Sequence, residues 1–136
     1  MATKTGLYYP TKEELDESLA ARDARYTYST SAKAVGKWID GSVIYRKTVN
    51  FGSLPNATSK TVAHGISNLK QVIEMKGMAV YQDRYFPLPN SNPSDNTGAM
   101  RLAIEGSNIV IMTGADRSAW SAYVTIYYTI GSTSNA

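Results

Sequence analysis

Acid–base catalysis in this chain would depend on one histidine. His64 is the only histidine among the 136 residues, and no Gly-x-Ser-x-Gly motif supplies a nucleophile to pair with it. It lies in an Ala-His-Gly-Ile segment that is typical of the end of a strand. We therefore expect His64 to be a hydrogen-bonded structural residue and not a general base.

The acidic residues and the absence of cysteine argue against hydrolytic and metal chemistry. Paired carboxylates can hydrolyse glycosides, but each candidate here lies beside turn residues, which predicts a solvated side chain. These candidates are Asp83, Asp95, Glu105 and Asp116. A zinc site would need mostly carboxylate ligands, which is unusual, and the acids follow no calcium-loop pattern. We predict that the protein is not an enzyme and has neither a metal site nor a cofactor; a small glycan-cleaving enzyme is the disfavoured alternative.

The positive charge does not predict a nucleic-acid partner. The net charge is +3, but the lysines and arginines occur singly or in pairs along the chain. Nucleic-acid binding needs a basic cluster that follows the phosphates. No segment approaches the roughly 20 apolar residues of a membrane span, and no apolar run follows the first lysine as in a signal peptide. We expect a protein that is made in a cytoplasm and does not insert into a membrane.

Tyrosine is the residue type most suited to binding. The chain has ten tyrosines and two phenylalanines. A tyrosine offers a rigid ring and a hydroxyl for contacts with proteins or sugars, but it is also a common strand residue, and both interpretations stay open. Tyr8 and Tyr9 precede the first predicted element, so we predict that they belong to an N-terminal docking peptide.

One helix is predicted over residues 11–26. Thr11 and Glu14 match a capping box, in which each side chain satisfies a free amide of the first turn. Acidic residues crowd the predicted start, and Arg22 and Arg25 lie near the end, as the helix dipole favours.

The apolar stripe of this helix is narrow. Leu15, Leu19 and Tyr26 follow the spacing of one side of a short coiled coil. A helix of this length is marginal alone in water, so it must pack on its own β domain, on copies of itself or on a docking partner. We predict that Leu15, Leu19 and Tyr26 form an oligomer interface.

From residue 28 onward the pattern changes to short β segments separated by turns. The predicted strands cover residues 42–51, 58–63, 69–81 and 122–130, and a hairpin covers 100–112. Both faces of 122–130 carry bulky or β-branched residues, which indicates a central strand, and Gly77 indicates a bulge or a close approach of two backbones. Residues 90–98 form a polar loop. The fold class predicted is mainly β, an antiparallel β-sandwich (jelly-roll-like) head over residues 28–136, preceded by a short α-helix in residues 1–27.

The hairpin is the most specific of these predictions. Gly106-Ser107 suits a two-residue turn with glycine in the first central position. That turn would place Ile104 opposite Ile109 and Leu102 opposite Ile111, with all four side chains on one face.

Several segments of the β region resemble one family. They are Tyr28-Ser29-Thr30-Ser31, Gly36-Lys37-Trp38-Ile39-Asp40-Gly41, Ile44-Tyr45-Arg46-Lys47, and later Asp116-Arg117-Ser118, Trp120 and Tyr123-Val124-Thr125-Ile126-Tyr127-Tyr128-Thr129. In this order they resemble a head module of the fibre, baseplate and tail proteins of tailed bacteriophages. The chain departs from the module at Ala32, where an acidic residue is common, and at Ile130, where a lysine often ends the strand.

The motif also has a physical interpretation of its own. Trp38 and Ile39 precede an Asp-Gly turn that would lead into the 42–51 strand. We expect Asp40 to bond the amides of that turn and Trp38 to close one end of the sandwich.

The resemblance implies a trimeric or otherwise oligomeric appendage of a virion, made in the host bacterial cytoplasm. Residues 1–27 would anchor it, with Tyr8 and Tyr9 docked on a capsid or other virion protein, and the β heads would point outward towards host surface glycans. The chain has no shaft repeats, so a short head fibre or capsid decoration fits better than a long tail fibre. The alternative is a tail or baseplate receptor-binding protein. Trp120 and the 90–98 loop are where we would look for ligand contacts.

Overall fold

A computed structural model describes residues 10–17, 19, 27–91 and 98–131. Within these residues, eight strands follow a short helix at residues 12–17 and 19. The strands are β1 (Lys33–Lys37), β2 (Val43–Ser53), β3 (Ser59–Ala63), β4 (Leu69–Tyr81), β5 (Arg84–Leu88), β6 (Met100–Glu105), β7 (Asn108–Thr113) and β8 (Ser121–Ile130). The protein is therefore mainly β, as its sequence predicts.

The strands form two antiparallel sheets. The larger sheet has the order β1-β2-β8-β4-β5, and the smaller has the order β3-β7-β6. β8 lies in the middle of the larger sheet, which confirms the prediction of a central strand. Its faces differ: Val124 and Ile126 are buried in the core, whereas Tyr123, on the opposite face, is 44% exposed.

One apolar core contains residues from both sheets. Phe51, Ala79, Ala122, Val124, Ile126 and Tyr128 come from the larger sheet, and Met100, Ile109 and Ile111 come from the smaller one. Burial of these side chains is the main favourable contribution to folding, at about 1.5–3 kcal/mol for a large aliphatic residue.

The hairpin between β6 and β7 has the predicted register. Leu102 pairs with Ile111 and Ile104 pairs with Ile109. Gly106 has φ +62°, as a turn with glycine in the first central position requires. All four apolar residues belong to the core or pack against it.

Gly77 marks a close approach, one of the two alternatives predicted for it. A Cβ at this position would lie 3.2 Å from Leu88 Cδ1 and 3.2 Å from the carbonyl oxygen of Tyr123. The irregularities in the pairing of β4 with β8 lie elsewhere, between Leu69 and Gln71 and between Val72 and Glu74.

Two edge strands were not predicted. β1 carries Lys33, Gly36 and Lys37, and β5 contains Pro87. Lysine and proline protect the edges of a sheet from further pairing, so the residues that suit an edge strand also weaken its sequence signal.

The turn between β1 and β2 confirms part of the motif interpretation. The Ser42 amide donates to Asp40 Oδ1 at 2.9 Å, and Gly41 has φ +88°. Trp38 is half-buried, but the tryptophan that packs against the core cluster is Trp120.

The capping box of the helix is confirmed. The Thr11 amide donates to Glu14 Oε1 at 2.8 Å, and the Glu14 amide donates to Thr11 Oγ1 at 3.1 Å. Leu15 and Leu19 are each 49% exposed. The remaining residues of the predicted interface and of the docking peptide, Tyr26, Tyr8 and Tyr9, lie outside the described residues.

Candidate binding site

His64 is a structural residue, as predicted. Its side chain is 2% exposed. The Ile66 amide donates to Nδ1 at 3.0 Å, and Nε2 lies 3.0 Å from the Gly106 carbonyl oxygen. Because Nδ1 accepts a hydrogen bond, the proton of the neutral ring is on Nε2, which donates to Gly106. The imidazole thus joins the loop after β3 to the β6–β7 turn.

Lys47 lies on the core side of β2 and extends beneath the same loop. It pairs with Ile126, whose side chain is fully buried. Lys47 Nζ donates to the His64 carbonyl oxygen at 2.7 Å, and a Cβ on Gly65 would lie 2.7 Å from that nitrogen. Glycine at position 65, with φ +70°, therefore allows the loop to pass close to the ammonium group.

The Lys47 ammonium has no anionic partner among the described residues. The ion pairs found there join Lys12 to Asp16, Lys70 to Asp40 and Lys76 to Glu74. The His64 carbonyl is the one acceptor of Lys47 in this part of the chain. A half-buried cation without a counter-charge is unfavourable unless something else compensates it.

A cavity of about 490 Å³ opens beside Lys47, and we call it the Lys47 cavity. Its wall combines hydroxyl groups, aromatic rings and the lysine: Thr30, Ser31, Tyr45, Lys47, Ser67 and Tyr128. The rings of Tyr45 and Tyr128 stack at 5.9 Å between centroids. Burial raises the pKa of Tyr128, and the neighbouring Tyr45 raises it further, so its hydroxyl stays neutral at physiological pH.

A second cluster occupies the opposite face of the larger sheet, and we call it the outer tyrosine cluster: Tyr28, Arg46 and Tyr127. Arg46 is 5% exposed. Its guanidinium lies 4.0 Å from the centroid of the Tyr28 ring and donates through Nη2 to the Thr27 carbonyl oxygen at 2.8 Å. The hydroxyls of Tyr28 and Tyr127 are 3.2 Å apart. That shared hydrogen bond raises the pKa of Tyr28 and lowers the pKa of Tyr127, and either hydroxyl can be its donor.

Trp120 lies in a third cluster of side chains, which is mainly aromatic. Its ring stacks on Tyr81 at 5.2 Å and meets Phe86 at 5.1 Å, and the Arg117 guanidinium lies 4.7 Å from its centroid. Trp120 is half-buried and packs against the core. Its role in ligand contact stays a prediction, and residues 92–97 of the 90–98 loop lie outside the described residues.

The Lys47 cavity was not predicted from the sequence, although the sequence contains a signal for it. Lys47 is separated by two or four positions from Val43, Tyr45 and Val49. Residues at this spacing share one face of a strand, so the strand places a lysine on an apolar face. A charged residue in that position either pairs within the core or faces a cavity. The distant segments of the cavity wall, around residues 30 and 67, carry no comparable signal.

The described residues contain no group of three histidine, cysteine or acidic side chains that could hold a metal ion. Within the same residues, no helix has the length and apolar character needed to cross a membrane. No family model, curated protein or solved structure matches the chain.

Proposed function

We propose that this protein is a non-enzymatic structural protein of a tailed-bacteriophage virion, a short head fibre or capsid decoration. Its N-terminal residues 1–27 anchor it as a homotrimer, with contacts among Leu15, Leu19 and Tyr26. Tyr8 and Tyr9 dock on a capsid or other virion protein. The β heads point outward, where they adhere to host or glycan surfaces.

The observation that carries the proposal is the convergence of three separate segments of the resemblance. Tyr28 of the Tyr-Ser-Thr segment, Arg46 of the Ile-Tyr-x-Lys segment and Tyr127 of the final segment meet in the outer tyrosine cluster. The Tyr28 and Tyr127 hydroxyls are 99 positions apart in sequence. Because segments that are distant in the sequence contact one another here, the matched pattern corresponds to one folded unit. This supports the interpretation of the resemblance as shared architecture.

The fold proposed for the head is a β-sandwich with jelly-roll features. Both sheets contribute to one core, as two layers packed face to face require. β2 pairs with β8, and β3 pairs with β7. Strands from the beginning of the β region therefore pair with strands from its end in a nested order, as in a jelly roll. The hairpins β4–β5 and β6–β7 depart from that nesting.

Exposed side chains on the helix support self-association. Leu15 and Leu19 are each 49% exposed and are four residues apart, on one face of the helix. Side-by-side packing of helices from several chains would bury this pair. The weak contacts of individual heads would then add through avidity.

The alternative is a tail or baseplate receptor-binding protein. The Lys47 cavity supports it as well as an adhesive head fibre, because both need a ligand site. Both hypotheses predict a virion protein, and they differ in its position on the particle.

The test is the position of the protein on intact particles, by cryo-electron microscopy with a label at the C-terminus. We expect labelled projections on the capsid. Density at the tail tip would support the receptor-binding alternative and refute the head fibre. Particles without the label, produced from cells that make the labelled protein, would refute both.

A further inference from the structure

The Lys47 cavity is built around a positive charge that the described part of the chain leaves uncompensated. The ammonium of Lys47 lies on the core side of β2, and the one acceptor it has among the described residues is the neutral His64 carbonyl. An ammonium has three N–H donors, so two remain for a ligand in the cavity. A carboxylate would satisfy them with charge-assisted hydrogen bonds, which are about twice as strong as neutral ones.

The rest of the wall suits a hydroxylated ring. Thr30, Ser31 and Ser67 line the cavity, and each carries a hydroxyl that can be both a donor and an acceptor. Tyr45 and Ile66 line it with apolar surface, against which the C–H face of a pyranose can pack. A wall with a few polar groups set in apolar surface is the usual composition of a small-molecule site.

The size and charge of the cavity restrict the ligand further. Its volume of about 490 Å³ lies within the range of roughly 300–1,000 Å³ that is usual for small-molecule sites. Among the residues that the structure describes, Lys47 is the only cationic one in the wall. One ammonium balances one carboxylate, whereas a nucleotide or a polyphosphate would bring several negative charges against a single cation.

We propose that the Lys47 cavity binds a carboxylated sugar, such as a uronic acid residue of an acidic surface polysaccharide, with its carboxylate on Lys47 Nζ and its hydroxyls on Thr30, Ser31 and Ser67. This inference deepens the adhesive part of the proposed function and rests on it for the source of the sugar.

The experiment is a titration of the full chain followed by ¹H–¹⁵N NMR, with glucuronate, glucose and acetate as separate probes. We expect saturable shifts in the 30–32 and 64–67 segments with glucuronate. Glucose and acetate should bind at least about 10-fold more weakly, because each lacks one half of the recognised chemistry.

Two variants test the role of Lys47, and a third is the matched control. Lys47→Met keeps the aliphatic stem and removes the charge, and should weaken glucuronate binding about 10- to 100-fold. Ser67→Asp places a competing carboxylate in the wall at an exposed turn position, where aspartate is tolerated, and should also abolish binding. Lys60→Met is the control, because Lys60 Nζ also donates to backbone carbonyls, those of Ser53 at 2.6 Å and Phe51 at 3.4 Å, but does not line the cavity.

Several outcomes would overturn the inference. Equal affinity for glucose would remove the role of the charge, and equal affinity for acetate would reduce the site to a simple anion site. Loss of binding in Lys60→Met equal to that in Lys47→Met, or retained binding in a folded Ser67→Asp protein, would place the ligand elsewhere. An absence of saturable shifts up to 50-fold the protein concentration, at millimolar protein, would refute it directly. Failure here leaves the virion position untouched, because the particle-labelling experiment tests that position independently of any sugar.

Discussion

Replacing Gly77 with alanine should destabilise the protein, although the same change in another strand should stabilise it. A Cβ at position 77 would lie 3.2 Å from Leu88 Cδ1, 3.3 Å from Leu88 Cβ and 3.2 Å from the Tyr123 carbonyl oxygen. Ordinary carbon contacts lie near 3.5–4.0 Å. Leu88 is 3% exposed, so its side chain cannot move into solvent, and the Tyr123 oxygen belongs to the backbone of the central strand.

Gly36→Ala provides a matched control. Gly36 lies in the edge strand β1, and nothing would lie within 4 Å of a Cβ there. Replacing a glycine by alanine at a compatible position stabilises a protein by about 0.4–1 kcal/mol, because it restricts the unfolded chain. That entropic gain is common to both variants, so the difference between them isolates the cost of overpacking at position 77, about 1–3 kcal/mol.

The assay is urea unfolding followed by the fluorescence of Trp38 and Trp120, at a fixed protein concentration because oligomers depend on it. With a slope of about 2 kcal/mol/M, a 2 kcal/mol difference separates the two midpoints by about 1 M. Equal midpoints for the two variants would refute the close approach of β4 to β5 and β8 at Gly77, and with it the packing of this part of the core.

Four further predictions concern other parts of the chain. His64→Ala should cost about 1–3 kcal/mol, because it removes a buried side chain together with its two hydrogen bonds, to Ile66 and Gly106. In chemical denaturation, His64→Asn and His64→Gln should each recover part of that loss, since each can restore one of the two hydrogen bonds. Hydrogen bonds from Ser42 are the chief cause of the lowered pKa of Asp40, so the contribution of Asp40 to stability is present above about pH 4 and is lost as the pH falls through the lower, folded-state pKa. The difference in unfolding free energy between the wild type and Asp40→Asn should therefore shrink over that acid range. A constant difference would contradict this role of Asp40. Leu15→Glu combined with Leu19→Glu should reduce the oligomer size measured by light scattering, and an unchanged size would exclude this pair from the interface. Deletion of residues 1–10 should prevent incorporation into particles, whereas normal incorporation would refute docking through Tyr8 and Tyr9.

The features that could be predicted from the sequence are those in which local signals agree. The β6–β7 hairpin combined a turn glycine with four apolar residues in matching register, and both are confirmed. The 69–81 strand was predicted with the bounds that β4 has in the structure. The capping box depends on two residues three positions apart, so it too could be read locally.

The features that could not be predicted depend on contacts between distant segments. β1 and β5 are stabilised by their neighbours in the sheet, and their lysines and proline lower any local strand signal. The wall of the Lys47 cavity brings together residues near positions 30, 45, 66 and 128. The alternation of residues along β2 could have predicted the face on which Lys47 lies, but not which other segments would surround it.

Neighbouring residues of the Ile-Tyr-x-Lys segment lie on opposite faces of strand β2 and have different roles. Tyr45 and Lys47 pair with Tyr128 and Ile126 on the core side, whereas Arg46 pairs with Tyr127 on the outer face. Successive residues of one strand point to opposite faces of the sheet, so Arg46 contributes to the outer tyrosine cluster, and its two neighbours line the Lys47 cavity. The Arg46 guanidinium is buried between the Tyr28 ring and the Thr27 carbonyl, a role in holding residues 27–28 against the sheet. Thr30 and Ser31 follow after one intervening residue, Ser29, and line the cavity. The contacts made by Arg46 on one face therefore help to position the residues that the proposed ligand would meet on the other.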